Sequence, residues 1–386
     1  MPTYNEAENI GELLERISRV FSREGYSYEV VMVDDSSSDG TAELARGIAS
    51  RLGVPLRLIV RNSRGLAGAV LRGFRESSGE YIIVMDADLQ HPPEAILEMV
   101  ERALREDLDL VIGSRYVKGG SIEGWGVHRR IFSWLASILS RVLIPQARGI
   151  KDPLSGFFLV KRSVIQDLDA QSFEKHGRSF KILLEILVRG RYKRIAEHPY
   201  RFRPRTRGKS KLGVREGLEF IKQVIELSDY RIPKFLGVGL TGVVVNNLLL
   251  YALVSYAGLP VYIASPIAIE TATINNFILN DRWTFKRFRE LGKAHIRLAK
   301  YHVAVGLGNL VNYATVLTLH PFIGIIPSNV LGIGLGFITN YLVSSEFVWE
   351  IAKKPPPLNP RMGRRSYIST ILMQGLSFKR VSLSLG

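Results

Sequence analysis

The sequence predicts an α/β domain built on a mainly parallel sheet, followed by a four-helix transmembrane domain. Three observations carry this. Short apolar runs alternate with amphipathic segments over residues 1–232; residues 301–345 hold no Asp, Glu, Lys or Arg; and basic residues gather beside the apolar stretches. At 386 residues the chain has room for one sizeable domain and a second unit. Its mean hydropathy of +0.08 averages over these two regimes. There is no cysteine, which excludes disulfides and thiolate metal sites.

Within residues 1–232, the runs at 28–34 (YEVVMVD), 56–60, 81–85 and 108–112 are apolar and of strand length. Amphipathic segments at 5–24, 40–52, 65–77 and 93–105 lie between and beside them. Buried strands alternating with helices read as βαβ units. Turn chemistry marks the boundaries, with Ser36-Ser37-Ser38-Asp39-Gly40 after the first run and Gly79 before the third. Further on, Ile131, Trp134, Leu135, Ile138, Leu139, Val142 and Leu143 follow helical spacing, flanked by Arg129, Arg130, Arg141 and Arg148. Such a helix packs on the sheet, or lies in a lipid interface with arginines at headgroup level, and the two are compatible.

Residues 233–350 read as the membrane domain, and residues 351–386 as a basic, disordered tail. Apolar segments at 235–256, 261–281, 302–319 and 328–348 each approach the ~20 residues that cross a bilayer. The second pair repeats the first. NNFILNDRWTF at 275–285 aligns without gaps to TNYLVSSEFVW at 339–349, and VGLTGVVVNN at 238–247 resembles VGLGNLVNY at 305–313. Seven basic residues lie in 282–300 and seven in 353–386, while the connections near 258–262 and 320–327 carry no Lys or Arg. The positive-inside pattern then places the first domain and both termini in the cytoplasm, in a multi-pass integral membrane protein. It also assigns the net charge of +16 to a bilayer partner rather than to nucleic acid. Met1-Pro2 opens no apolar h-region of a secretory signal.

The chemistry centres on Asp86-Ala87-Asp88 at the end of the 81–85 strand, where open α/β sheets bind ligands. Carboxylates two apart in extended chain face the same side. Hard oxygen donors from Asp88 and Gln90, with Asp86 nearby, suit Mg²⁺ or Mn²⁺ beside a substrate phosphate. Asp34 and Asp35 form a second acidic strand end. His91, next to Pro92-Pro93, reads as a turn residue rather than a ligand. Arg115 follows a strand. Residues 201–211 (RFRPRTRGKSK) place six basic residues in eleven, a solvated or membrane-surface run, or a phosphate-binding lid.

Together PTYNE (2–6), VDDSSSDGT (33–41), MDADLQHPPE (85–94), IGSRYVKGG (112–120), EGW (123–125) with Arg129, Arg130 and Ser133 after it, KDPLSGFF (151–158) and RTRGKSKLG (205–213) resemble the polyprenyl (dolichyl) phosphate mannose synthases. These are family 2 glycosyltransferases with an A-type, Rossmann-like fold. The helical part resembles the GtrA-like membrane domain of some members. The resemblance implies that Pro2, Tyr4 and Glu6 bind the nucleotide, with Val33 and Asp35 at base and ribose. It implies that Asp86, Ala87, Asp88 and Gln90 hold Mg²⁺ or Mn²⁺ and the diphosphate, and that Arg115, Arg129 and Ser133 cradle the acceptor phosphate. Arg205 and Lys211 would close over the donor, to which Arg115 also reaches; Asp88, Arg115 and Arg129 are the catalytic set.

The implied reaction moves mannose from GDP-mannose to polyprenyl (dolichyl) phosphate with inversion. Its rivals are a polyprenyl-phosphate glucosyltransferase using UDP-glucose and, from another class, a lipid-linked sugar transporter. Two departures stand out: family members carry an apolar strand before PTYNE, so an upstream start is expected, and the tail after Glu350 matches no family pattern.

Overall fold

The computed structural model describes residues 1–22, 25–62, 65–166, 168, 181–204, 214–289 and 292–351. The chain divides into two compact units, Met1–Leu227 and a second beginning at Ser228.

In the first unit, β1 (Pro2–Thr3), β2 (Val30–Asp34) and β3 (Leu56–Val60) form a parallel sheet in the order β1-β2-β3. A second sheet runs β4-β7-β5-β8, from Tyr81–Val84, Phe158–Lys161, Leu110–Ser114 and Ile195–Pro199. Here β7 lies antiparallel to both β4 and β5, whereas β8 is parallel to β5. A short parallel pair, β6 (Ser121–Ile122) with β9 (Arg201–Phe202), completes the unit's strands among the described residues. Strand β7 has no helical or alternating signature in the sequence; its Phe-Leu-Val run is fully buried, so this central strand is covered on both faces.

The helices follow the apolar periodicity. In α1 (Ala7–Phe21), Ile10, Leu13, Leu14 and Ile17 are buried, a stripe at i, i+3, i+4 and i+7. Each such side chain contributes about 1.5–3 kcal/mol of burial free energy. Asp39 ties the first two crossovers together: its carboxylate accepts from the Ala7 amide (3.0 Å) at the start of α1 and from the Thr41 amide (3.1 Å) opening α2 (Thr41–Leu52). The remaining crossovers are α3 (Leu66–Glu76) and α4 (Ala95–Glu106), and α5 (Val127–Leu143) follows β6.

The second unit contains helices Arg231–Ser255, Val261–Leu279, Ala294–Ile323 and Ile325–Val343. Three are long and apolar enough to cross a membrane: Arg231–Ser255, Ala294–Ile323, and the last extended to Val348. The second helix is the least apolar by that measure and carries Glu270 and Pro266. The internal repeat is visible in three dimensions. The second and fourth helices each end in a π-helical turn, at Asn280–Thr284 and Ser344–Val348. The repeat counterparts Phe285 and Trp349 stack face to face at 4.1 Å. Phe277 meets Trp349 at 6.2 Å, and its counterpart Tyr341 meets Phe285 at 6.5 Å. Gly308 and Gly336 let the third and fourth helices approach backbone to backbone; a Cβ on either would fall 2.8 Å or 2.7 Å from the other's carbonyl oxygen.

Candidate active site

Strand register explains why distant residues converge. Val84 of β4 and Ile112 of β5 both pair with Phe158 of the intervening β7, so these two residues of the parallel strands lie level with each other. Asp86 lies two residues beyond Val84, and Arg115 three beyond Ile112. Both therefore emerge at the same carboxyl edge, where ligands bind in such sheets. His91, at 2 % exposure, feels the charges of Asp86, Asp88, Arg115 and Asp152 together.

The acidic half is a tight turn. The Asp86 amide donates to His91 Nδ1 (3.0 Å), and the His91 ring stacks on Phe157 and meets Tyr200 and Phe202 edge-on. Burial lowers the His91 pKa. A neutral ring that accepts at Nδ1 serves as a backbone clamp. Leu89 takes a left-handed conformation (φ 62°), which folds the Gln90 amide back onto Asp88 Oδ1 at 3.2 Å. Asp88 and Gln90 are buried, while the Asp86 side chain is 42 % exposed. Gln90 Nε2 donates to the Arg203 carbonyl (3.2 Å), and its Oε1 is then the atom left to accept or ligate. Gly156 lies against the turn, where a Cβ would reach van der Waals contact with Asp86 Oδ2 at 3.4 Å. Two carboxylates and a side-chain amide oxygen make an all-oxygen donor set, which fits a hard divalent cation that keeps room for phosphate oxygens.

The basic half is built around Arg115. Its Nε and amide donate to Asp152 Oδ2 (2.8 and 3.0 Å), and its Nη2 to Oδ1 (2.8 Å). The Asp152 side chain is wholly buried. Burial alone would lower the Arg115 pKa, but the charge and hydrogen bonds of Asp152 raise it above the ordinary guanidinium value. Glu197 supports the loop in turn, accepting from the Lys151 and Asp152 amides at 2.8 and 2.9 Å. Arg129, in the first turn of α5, lies 4.2 Å over the Trp125 ring, and the Arg115 guanidinium is 5.5 Å from the same ring. Ser133, one turn on, accepts from the Tyr116 hydroxyl at 2.9 Å.

Lys181, ahead of helix Ile182–Arg189, interacts electrostatically with Arg115, Asp86, Asp152 and Arg129, and burial lowers it to about 8. Its backbone is fixed by Gln223, whose Oε1 accepts from the Lys181 amide and whose Nε2 donates to the Lys181 carbonyl (3.2 and 3.0 Å).

The nucleotide-side residues lie along β1 and β2. Pro2 and Val33 are register partners. Tyr4 is half-buried, Ala87 is buried, and the Glu6 amide donates to Thr41 Oγ1 (2.9 Å). Asp34 is committed inward, accepting from Thr3 and from Ser37. Asp35 is paired with Arg61 and accepts from the Gly65 amide at 2.8 Å. Arg205 and Lys211 fall outside the described residues. The preceding strand β9 nevertheless delivers the chain to Gln90, whose carbonyl accepts from the Arg203 amide.

Sequence reasoning gave no role to Asp152, Trp125, Tyr116, Lys181 or Arg61. Asp152 and Trp125 lie inside quoted motifs, but their partners are distant in the chain and follow from tertiary packing.

Comparison with known proteins agrees with this architecture. Residues 1–169 match the model of glycosyl transferase family 2, and residues 234–349 match that of the GtrA/DPMS transmembrane domain. The chain is thus a family 2 glycosyltransferase joined to a membrane domain. It is 41 % identical over 357 residues to a dolichol-phosphate mannosyltransferase of Pyrococcus furiosus, covering 90 % of this chain and 98 % of that one. Relatives of the same description from Saccharomyces cerevisiae (37 % identical, 59 % of this chain and 85 % of that one) and Mycosarcoma maydis (38 %, 60 % and 78 %) match over 235 and 239 residues. The chain belongs to the dolichol-phosphate mannosyltransferase family.

Proposed function

We propose that this chain transfers mannose from GDP-mannose to a polyprenyl (dolichyl) phosphate with inversion at the anomeric carbon. The observation that carries the reading is the juxtaposition, at one sheet edge, of an all-oxygen acidic turn with a buttressed arginine cluster. The acidic turn suits a cation and a diphosphate; Arg115 and Arg129 suit a second anion. An enzyme joining two anions needs both halves.

In this reading Pro2, Tyr4, Glu6, Val33 and Asp35 bind the nucleotide. Asp35 already pairs with Arg61, so ribose contact would use its remaining lone pairs or a rearranged pair. Asp86, Asp88 and Gln90 would hold Mg²⁺ or Mn²⁺, which when bound would supply positive charge beside the diphosphate. Arg205 and Lys211 add cations over the donor. Arg115, Arg129 and Ser133 hold the acceptor phosphate. A phosphate monoester has a second pKa near ~6 and is already largely dianionic at neutral pH. No protein base is needed, and catalysis rests on orientation and charge stabilisation. Asp152 supports this by fixing the Arg115 fork.

The lipid acceptor agrees with the surface. On α5, Val127, Ile131, Phe132, Trp134 and Leu135 are exposed, a lipid-facing stripe on a helix that carries Arg129 and Ser133 on its other side. Basic residues in 282–300 support a multi-pass arrangement with the catalytic domain and both termini cytoplasmic.

The test is donor choice. Purified protein in liposomes with polyprenyl phosphate is offered radiolabelled GDP-mannose or UDP-glucose. Lipid-linked mannose that disappears in EDTA and in D88A is expected. Transfer from UDP-glucose alone would overturn the donor, and lipid-linked sugar undiminished in D88A would overturn the site.

A further inference from the structure

Trp125 occupies the centre of the basic half, yet the reading above gives it no chemical task. It sits in the loop between β6 and α5, where Gly124 (φ 70°) turns the chain against Pro204; a Cβ on Gly124 would meet the proline at 2.7 Å. The indole is packed edge-to-face on Phe202 at 5.2 Å. Both arginines assigned to the acceptor phosphate flank it, Arg129 at 4.2 Å and Arg115 at 5.5 Å from the ring centroid. Its Nε1–H is fully shielded from solvent and has no acceptor among the described residues.

An indole N–H is a donor only, and leaving one buried and unpaired costs about 1–3 kcal/mol. Neither neighbouring guanidinium can accept from it, since Arg carries donors alone. What such a donor lacks is an acceptor, and Arg129, stacked on the ring, with the Asp152-paired Arg115 beside it, favours an anionic one. The N-terminus of α5 adds to this: its cap residue, Gly126, supplies no side-chain hydrogen bond, so the helix opens directly beside Trp125.

We infer that Trp125 Nε1–H donates a hydrogen bond to the phosphate of the lipid acceptor, making Trp125 a further acceptor-binding residue with Arg115 and Arg129. The inference rests on the acceptor-site reading given above. The ring has a second effect, because it stacks under Arg129 and limits the directions that guanidinium can take.

The separating variant is Trp125→Phe, which removes the donor while keeping an aromatic ring under Arg129. A hydrogen bond to a charged group predicts a rise of roughly tenfold or more in KM for polyprenyl phosphate, with KM for GDP-mannose unchanged within about twofold. An unchanged acceptor KM would overturn the inference. Arg129→Ala in the same assay tests the underlying reading, since an acceptor KM indifferent to Arg129 removes the phosphate site itself.

Should the Phe variant fail to fold, the wild-type chain still answers. Its four tryptophans give four indole N–H resonances after ¹⁵N-labelling in detergent. A short-chain polyprenyl phosphate should shift the Trp125 resonance downfield, and the matching alcohol should not. Equal response to both, or none to either, would overturn the proposal.

Discussion

Asp152 grips Arg115 through three hydrogen bonds, two converging on Oδ2 from the Arg115 amide and Nε and one reaching Oδ1 from Nη2. With Asp152 wholly buried and the Arg115 side chain 9 % exposed, water can replace little of this pairing. Removing one member of a buried pair typically costs about 3–5 kcal/mol. Asp152→Ala is therefore expected to lower the unfolding midpoint strongly. Asp152→Asn keeps the shape and part of the hydrogen bonding, so its loss should be smaller and should fall on acceptor KM more than on donor KM. Equilibrium unfolding in detergent and a two-substrate kinetic analysis check both; a defect confined to donor KM would contradict the assigned role.

Lys181 gives a pH prediction. Its folded pKa, lowered by burial to about 8, lies below the ordinary 10.5 that applies in the unfolded chain. Below about pH 8 both states carry the charge, and the folded state bears the full cost of burying it. Between about 8 and 10.5 the unfolded chain holds a proton that the folded chain has released, so this group makes stability rise with pH. In EDTA, the midpoint of wild type minus that of Lys181→Met should become less negative from pH 7 to 9. A difference that grows more negative with pH would refute the assignment.

What the sequence disclosed and what it withheld divide along physical lines. The parallel strands, the turn at Asp86–Asp88 and the repeated hairpins were legible because each is written in local periodicity or in a short motif. The chain MDADLQH even contains the His91 clamp. The pairing of Arg115 with Asp152 spans 37 residues, and nothing local announces it. The same holds for Trp125 against Phe202 and for Lys181 beside Arg115, which meet only when β6, β9 and the 182–189 helix assemble. Antiparallel β7 was opaque for another reason: its short run, Phe158–Lys161, stands outside the strand–helix alternation that marks the βαβ units.

In the membrane unit, Asp281 accepts from Arg297 Nε and Nη2 at 2.9 and 3.0 Å and from Trp349 Nε1 at 3.0 Å. One carboxylate thus joins the end of the first repeat, the start of the third helix and the end of the second repeat. Asp281→Asn should destabilise more than Trp349→Phe, since the former leaves a buried guanidinium without its counter-charge and the latter loses one donor while keeping the stack on Phe285. The double variant Asp281→Asn/Arg297→Met should cost less than the two single changes added together. Thermal unfolding of the detergent-solubilised protein decides, and strict additivity would show the pair to be uncoupled.

The exposed stripe on α5 makes a separate prediction about where the acceptor is met. Phe132 is 72 % and Trp134 52 % exposed, and Leu218 on helix Val214–Leu227 is 62 % exposed. Apolar groups so placed gain free energy only when something covers them, at about 25 cal/mol per Å². If that cover is the bilayer, the stripe holds Arg129 and Ser133 at headgroup depth, where a lipid phosphate lies. Phe132→Ser/Trp134→Ser should then raise KM for long-chain polyprenyl phosphate embedded in liposomes by several-fold. A short, water-soluble acceptor should be used with unchanged KM, because its phosphate needs no membrane to reach the arginines. Equal impairment with both acceptors would mean that the stripe shapes the site itself rather than its depth in the membrane.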